Sequence, residues 1–265
     1  MRLPVILRNV ADMAQPERVV DESRRLRITT YNIYKGNFFD RPGPRGGSVL
    51  EDFDGLESLR RTDVLALQEA WVGPLGGDAV ARNTVHELAA RLGLDGVLDG
   101  RARFVGVPHR RGETGVALVC REPARYEAVR LPRPFWSPWP RGALFARFGP
   151  WLVGTLHLEV WPIGAPARAR QMRRVLTAVD ELTKKDPTPV VLAGDFNCQR
   201  GAPHELLRRA GFVSALPQWA RTWSLGRFAM HLDHIYVRGA RVEDAGVLQT
   251  ARGSDHWPVW AEIAI

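Results

Sequence analysis

The sequence predicts a single α/β domain in which mixed β-sheets are covered by helices on their outer faces. Its apolar runs divide into about ten short strands and about four helices. The strands in the middle of the chain follow one another without intervening helices, which argues against a purely parallel sheet. No linker, repeat or change of composition divides the chain. We therefore expect residues 1–265 to form one domain, with an N-terminal extension at 1–26 and a core from about residue 27.

Apolar patterning predicts the elements of the first half of the chain. The expected strands are Arg27–Asn32, Asp63–Gln68, Arg103–Val107, Gly115–Arg121 and Tyr126–Leu131. The expected helices are Val49–Arg61, with Phe53, Leu56 and Leu59 on one face, and Val80–Leu92, which ends at Gly93.

The second half repeats this pattern around the longest helix. The expected strands are Ala143–Phe148, Trp151–His157, Thr188–Ala193, Leu232–Val237, Arg241–Leu248 and Trp257–Ile263. The expected helices are Pro166–Lys184 and Pro203–Ala210, the latter closed by Gly211.

The composition excludes several classes of protein. The chain is 45% hydrophobic and 25% charged, which excludes disordered, collagen-like and coiled-coil chains. No apolar run approaches the roughly 18 residues of a membrane span. The Leu3–Leu7 run ends at Arg8 and is shorter than the about 7–15 apolar residues of a signal peptide. We expect a cytoplasmic protein, with a secreted one as the alternative if a leader precedes this sequence.

The net charge and the cysteines indicate which partners and which cysteine-based sites the chain can have. The net charge is +8, and almost all of the positive charge is arginine. This indicates either an anionic partner or a GC-rich genome that replaces lysine with arginine. Cys120 and Cys198 are too few for a disulfide framework or a cysteine-rich zinc site. We expect both to be reduced core thiols at the ends of buried strands.

Polar side chains stand where six predicted strands begin or end. The six motifs are Thr29-Thr30-Tyr31-Asn32, Leu67-Gln68-Glu69, His157-Leu158-Glu159, Gly194-Asp195-Phe196-Asn197, Leu232-Asp233-His234 and Ser254-Asp255-His256. Such groups are costly to bury without partners. A single one is compatible with a turn or a helix cap, but six predict convergence at one rim, where they satisfy one another or a metal ion. In an extended strand end, Asp195 and Asn197 point the same way.

In this order the six motifs resemble the endonuclease/exonuclease/phosphatase superfamily. That group contains deoxyribonuclease I, abasic-site nucleases of the exonuclease III type, inositol polyphosphate 5-phosphatases and bacterial sphingomyelinases. The resemblance extends from about Arg27 to Ile265. It implies a four-layer sandwich of two mixed β-sheets packed face to face with helices on the outer faces. It also implies a divalent-metal phosphoesterase whose site lies at one end of the sandwich.

The residue types indicate how such a site works with a metal. Hard oxygen ligands with few imidazoles favour Mg²⁺ or Mn²⁺, with Ca²⁺ as a further alternative, over zinc. Among the acidic residues, Glu69 is the leading candidate for a metal ligand. Asn32 is expected to support the metal or a phosphate oxygen, and Asp255 to bind the metal directly or through water.

The remaining polar residues are assigned to the reaction itself. Phosphoryl transfer requires charge neutralisation and an aligned nucleophile. We expect Asp195 to orient and deprotonate the attacking water, with Asn197 fixing water or phosphate beside it. His256 is expected to donate to a non-bridging phosphate oxygen, with Asp233 holding its tautomer. His157 is expected to contact the phosphate or to assist the leaving oxygen.

Some positions keep an open role. Many members of the superfamily carry a phosphate-binding Tyr or Arg on the central strands, and the candidates here are His109, Arg110, Arg111 and Glu113. His234 is expected to be a packing residue.

Three substrate classes follow from the sequence, with nucleic acid first. The basic charge favours it, and Arg168, Arg170, Arg173 and Arg174 either track a backbone or form a solvated helix face. A phospholipid or sphingomyelin-type substrate is the alternative, because aromatic residues at Phe135–Pro140 and Trp161–Ile163 could enter a lipid interface or else stiffen a hairpin. A small phosphorylated metabolite is the third. A catalytically inactive binding module is disfavoured, because the acidic residues are all present.

Overall fold

The structure is a computed structural model in which two β-sheets pack face to face. It describes residues 25–74, 81–93, 102–109, 112–122, 124–138, 140–160 and 164–265. The strands in chain order are β1 (Arg25–Asn32), β2 (Val64–Pro74), β3 (Ala81–Asn83), β4 (Ala102–His109), β5 (Gly112–Cys120), β6 (Arg125–Arg130), β7 (Gly142–Phe148), β8 (Trp151–His157), β9 (Val190–Asp195), β10 (Val213–Ser214), β11 (Trp223–Leu225), β12 (Phe228–Met230), β13 (Asp233–Arg238), β14 (Arg241–Val247) and β15 (Val259–Ala264).

Five α-helices are found among the described residues. They are α1 (Val49–Gly55), α2 (Glu57–Arg60), α3 (Thr84–Arg91), α4 (Ala165–Thr183) and α5 (Ala202–Arg209), with a short 3-10 helix at Tyr34–Gly36. In the described segments, no helix combines the length and apolar character that crossing a bilayer requires.

Both large sheets are mixed, as the sequence predicts. The first has the order β14-β15-β1-β2-β5-β4, with β3 added to β2, and only β1 and β2 run parallel. The second has the order β10-β13-β9-β8-β7-β6, and only β8 and β9 run parallel. Strands β11 and β12 form a separate hairpin.

Three apolar layers hold the sandwich together. Side chains such as Ile28, Leu118 and Ile235 fill the space between the sheets. Helices α1 to α3 cover the outer face of the first sheet, and α4 and α5 cover that of the second. Inside the sandwich, Gln68 Nε2 donates to Thr155 Oγ1 at 3.0 Å and joins the two sheets directly. The four-layer sandwich is therefore confirmed.

Some predicted boundaries are wrong for local reasons. The helix expected at Val49–Arg61 is two helices, because the backbone after Gly55 becomes extended at Leu56 (φ −103°, ψ 101°). The strand expected to end at Gln68 continues to Pro74 through a bulge. The helix expected at Val80–Leu92 begins only at Thr84, because the residues before it pair with β2 as β3; Val80 lies outside the described residues.

The two cysteines and the arginine side chains of α4 also differ in part from the sequence prediction. Both thiols are free and buried, and burial raises the pKa of Cys120 to about 12 and that of Cys198 to about 11. Cys120 ends β5, but Cys198 lies in the loop after β9 rather than at a strand end. Arg170 and Arg173 are exposed on α4, whereas Arg168 is buried and donates to the backbone of Glu159 at 3.0 Å.

Candidate functional site

Three neighbouring strands of the second sheet place polar residues side by side. β8 and β9 pair His157 with Asp195, and β9 and β13 pair Asp195 with Asp233. Directly paired residues project on the same face of a sheet, so their side chains meet. Gly194 (φ 146°) allows this, because a Cβ at that position would lie 2.0 Å from the carbonyl oxygen of Leu156.

Asp195 lies at the centre of this row. Its Oδ2 accepts a hydrogen bond of 3.0 Å from Asn32 Nδ2, which comes from the opposite sheet, and its Oδ1 accepts one of 2.8 Å from the backbone of Asn197. His157 Nε2 and His256 Nε2 lie 3.5 and 3.9 Å from Oδ2. Burial raises the pKa of Asp195 to about 7; the charge of His256 opposes this shift and that of Asp233 adds to it.

His256 and Asp233 form a buried pair. His256 Nδ1 donates to Asp233 Oδ2 at 2.8 Å. Burial disfavours a charged imidazole, but the charge and hydrogen bond of Asp233 outweigh it and raise the pKa of His256 to about 10. The other oxygen, Asp233 Oδ1, is buried and has no hydrogen-bond partner. The pair therefore presents a protonated imidazole beside Asp195.

Asp195, Asp233 and His256 together could also hold a metal ion. One ligand atom of each lies within 4.8 Å of the others, and this is the one such group among the described residues. We refer to these three residues as the acid–histidine group.

Glu69, the expected metal ligand, lies in the bulge of β2. Its backbone adopts φ 53°, a left-handed conformation that is uncommon outside glycine. Glu69 Oε2 is 3.5 Å from Lys35 Nζ, and this buried oxygen accepts no hydrogen bond. Sparsely populated backbone conformations persist where the surroundings impose them, and they concentrate at functional sites.

Asp255 and Asn197 each make a hydrogen bond that the sequence does not predict. Asp255 Oδ2 accepts from Trp223 Nε1 at 2.9 Å, so a hairpin residue occupies one of its oxygens. Asn197 does not continue the extended strand end beside Asp195, because its backbone turns to φ 51°. Its amide instead donates to the carbonyl oxygen of Leu158 at 3.1 Å.

Two cationic residues at the site were missed by sequence reasoning. Arg141 Nη1 lies 3.1 Å from His157 Nδ1, and Lys35 pairs with Glu69. Burial lowers the pKa of His157 well below its usual value, and the charge of Arg141 adds to the effect. Both cations line a cavity of about 400 Å³ that adjoins His157 and is also lined by Arg130. Neither stands in a polar motif, so no local signal marks them.

The structure describes only some of the positions to which the sequence assigns no definite role. His234 is buried and packs against Phe196 and Tyr236, as expected of a packing residue. Glu113 lies at the start of β5 on an exposed position, while Arg110 and Arg111 fall outside the described residues.

The loop that carries His256 is fixed by Arg45. Its guanidinium donates to the carbonyl oxygens of Ser254 and Asp255, the latter at 2.7 Å, and to Ser224 Oγ at 2.8 Å. The guanidinium carbon also lies 4.0 Å from the ring centre of Trp257. This residue was not predicted either.

A profile of the endonuclease/exonuclease/phosphatase family matches residues 29–256, which include every motif of the site. The chain belongs to this family. Endonuclease/exonuclease/phosphatase proteins are hydrolases of phosphoesters and generally use a divalent metal. The superfamily resemblance inferred from the six motifs is thereby confirmed.

The individual proteins that this chain resembles are distant from it in sequence. The UPF0294 protein VP2298 of Vibrio parahaemolyticus is 24% identical over 253 residues, covering 91% of this chain and 79% of the relative. An endonuclease/exonuclease/phosphatase from Beutenbergia cavernae superposes with a TM-score of 0.69 at 21% identity over 91% of this chain and 72% of its own. The human Nocturnin catalytic domain, solved with bound sulfate, gives 0.65 at 17% identity over 91% and 93%. These structural likenesses establish the fold.

Proposed function

We propose that the protein is a divalent-metal-dependent phosphodiester hydrolase whose leading substrate is nucleic acid. The observation that supports this most strongly is the contrast within the acid–histidine group. Asn32 and the backbone of Asn197 hold the Asp195 carboxyl beside His256 Nε2, and burial raises the pKa of Asp195, which suits it to accept a proton. The hydrogen bond from His256 Nδ1 to Asp233 raises the pKa of His256 and keeps its imidazole protonated. One group accepts a proton from water while its neighbour stabilises negative charge.

Each residue then has one part in the reaction. Asp195 orients and deprotonates the attacking water, held in place by Asn32. His256 donates from Nε2 to a non-bridging phosphate oxygen, since its Nδ1 is bonded to Asp233. His157 is neutral and contacts the phosphate or the leaving oxygen. Asn197 supports the loop through the hydrogen bond that its amide nitrogen donates to the carbonyl oxygen of Leu158. Its other amide hydrogen and its amide oxygen contact water or phosphate.

The residues present fit a hard divalent cation at Glu69. The hydrogen-bond-free, buried Glu69 Oε2 is an oxygen ligand of the kind that Mg²⁺ and Mn²⁺ prefer. Asn32 and Asp255 are the expected supporting ligands. The acid–histidine group is the other place for a cation, but its imidazole is already engaged by Asp233, and Mg²⁺ has little preference for imidazole. When bound, the cation neutralises charge on the phosphate.

Among the candidate substrates, the surroundings of the site favour an anionic polymer. The charge of +8 and the cations Lys35, Arg130 and Arg141 beside the catalytic row supply contacts for successive phosphates. Phospholipid is the second candidate, because Phe135 is 97% and Trp136 40% exposed rather than packed. Trp139 and residues 161–163, which the sequence analysis also predicts to enter a lipid interface, lie outside the described residues. A small phosphorylated metabolite is the third candidate, because the cavity of about 400 Å³ has the size of a small-molecule site.

A substrate panel separates these candidates. Purified protein with Mg²⁺, Mn²⁺ or Ca²⁺ is incubated with plasmid, single-stranded DNA, RNA, sphingomyelin vesicles and sugar or inositol phosphates. A nuclease loses affinity steeply with salt, with a log–log slope near −0.9 per phosphate contacted on duplex DNA. A lipid enzyme is insensitive to salt and loses activity in Trp136→Ala. Release of a lipid head group with DNA and RNA intact would replace nucleic acid by phospholipid.

A further inference from the structure

The cavity beside His157 continues the space between the two sheets to the end of the sandwich that carries the site. Its volume is about 400 Å³. One wall comes from β4 and β5 of the first sheet, and the facing wall comes from β6 and β7 of the second. Because β4 and β6 are the terminal strands of their sheets, the cavity lies at an edge of the sandwich, where a ligand can enter. We call this cavity the inter-sheet slot.

Small residues of the second sheet leave the inter-sheet slot open. Val129 and Ala143 pack on the outer, helix-covered face, so their neighbours Ala128 and Gly142 face the inside of the sandwich. Ala128 is nevertheless exposed. The nearest atom beyond the chain neighbours of Gly142 would lie 3.7 Å from a Cβ added there. Facing sheets lie about 10 Å apart and are normally filled by side chains from both. Around these two residues only the first sheet fills the space, and a flat gap remains.

The wall on the first sheet is apolar. Val105, Val107 and Val116 line it, and Thr114 adds a hydroxyl. Val105 and Val107 are only half-buried although they belong to the face that looks inward. Valine side chains on a strand have little rotamer freedom, so they form a rigid surface. Such a surface fits a flat apolar ring, whereas the hydroxyl groups of a sugar or an inositol would lose their hydrogen bonds to water against it.

The inter-sheet slot reaches the catalytic row. Gly142 stands next to His157, because the following residue of β7 pairs with the residue that precedes His157 on β8. Arg141 Nη1 lies 3.1 Å from His157 Nδ1, and Lys35 and Arg130 line the same cavity. Cations of this kind form strong hydrogen bonds with phosphate oxygens. The cavity therefore combines a flat apolar gap with phosphate-binding groups, which are the two parts of a nucleotide.

We propose that the inter-sheet slot binds the nucleobase of the nucleotide whose phosphate reacts. Lys35, Arg130 and Arg141 contact phosphate oxygens, and the ring lies between the valines and the backbone around Gly142. The proposal rests on the proposed function, because it assumes that the reacting phosphate lies at the catalytic row. It adds the class of nucleic acid: a base in the slot has left its stack and its pairing partner. The protein therefore selects single strands and unpaired ends over intact duplex.

Two ligands that differ only by the base test the slot without turnover. Asp195→Asn protein with Mg²⁺ is titrated by calorimetry with adenosine 5′-monophosphate and with ribose 5-phosphate. Burial of one ring should give the nucleotide an affinity higher by about 10-fold or more. Ala128→Phe, added to this variant, fills the slot from a position that is exposed and should abolish the preference. Ala202→Phe, at an exposed position of α5, is the matched control and should retain it.

A second way of filling the slot guards against a folding defect. Gly142→Val places its side chain in the same gap and replaces Ala128→Phe if circular dichroism shows that the latter is misfolded. Equal affinities for the two ligands in Asp195→Asn protein, or a preference for the nucleotide that survives in a folded, filled variant, would overturn the proposal.

An acyl chain is the competing occupant, and a short-chain lysophosphatidic acid tests it in the same titration. If this lipid binds more tightly than the nucleotide and loses that advantage in Ala128→Phe, the slot takes an acyl chain and the proposal is wrong. Hydrolysis by the unmodified protein is measured separately. A base preference that is lost in Ala128→Phe, in a protein that hydrolyses no phosphodiester, would support the slot and refute the proposed function.

Discussion

His256 Nδ1 donates to Asp233 Oδ2 at 2.8 Å, and both side chains are buried. The folded-state pKa of His256, about 10, exceeds the ordinary value of 6.5. This pair therefore contributes stability in full below pH 6.5, and the contribution is lost as the pH rises through about 10. Asp233→Asn should lower the pKa of His256 and reduce turnover by about 10²–10⁴-fold.

NMR titration of the His256 ring measures the first effect and steady-state kinetics the second. Asp244→Asn, on an exposed position of β14, is the control and should change neither quantity. An unchanged pKa of His256 in Asp233→Asn would mean that the hydrogen-bonded pair does not govern its protonation.

Asp195→Asn should reduce turnover by about 10²–10⁴-fold and leave the fold intact. Asparagine has nearly the same shape but cannot accept the proton of water. Because burial already disfavours the charged form of Asp195, loss of the charge should not lower the free energy of unfolding. Kinetics and urea denaturation are compared with the exposed Asp186→Asn. Full turnover in folded Asp195→Asn would rule out its role as the base.

Glu69→Gln should raise the Mg²⁺ concentration required for half-maximal activity, because it removes the charge of the expected ligand. Activity is followed as Mg²⁺ is added back to chelated enzyme. Glu127→Gln, at an exposed position of β6, should behave as the unmodified protein. If Asp233→Asn raises the Mg²⁺ requirement and Glu69→Gln does not, the cation belongs to the acid–histidine group instead.

Arg45→Met should lower both stability and turnover, because it leaves the carbonyl oxygens of the His256 loop without their donor. A hydrogen bond involving a charged group contributes about 1.5–3 kcal/mol. Arg45→Lys should restore little, since an ammonium group cannot reproduce the planar fork. Thermal denaturation and kinetics are measured beside the exposed Arg41→Met. Unaltered stability in Arg45→Met would show that the loop holds without it.

The sequence predicts the central part of the site because its signals are local. A polar residue at the beginning or end of a strand can be read from the adjoining apolar run. Strand pairing then brings His157, Asp195 and Asp233 into one row. The order of the motifs also sufficed to recognise the family. Strand β8 was predicted with its observed bounds, Trp151–His157, because a mostly apolar run leads up to the final histidine.

The missed features depend on contacts between distant segments. Arg141 reaches His157 only because β7 and β8 pair, and Arg45 reaches the His256 loop across more than 200 residues. The bulge at Glu69 arises where β2 has one residue more than its partner β5 between two paired positions. His204 and His231 meet His234 behind the catalytic row from different segments of the chain, so no local signal marks those contacts. Strands β10 to β12 are two or three residues long and too short for periodicity to detect.

In the proposed reaction, Asp195 and a divalent cation hydrolyse a phosphoester together. The most direct measurement is the rate of phosphodiester hydrolysis by metal-stripped enzyme as Mg²⁺ or Mn²⁺ is added back, in the unmodified protein, Asp195→Asn and Asp186→Asn. We predict no hydrolysis without metal, full recovery in the unmodified protein and Asp186→Asn, and almost none in Asp195→Asn. Hydrolysis that survives exhaustive chelation, or that recovers equally in Asp195→Asn, would contradict the claim.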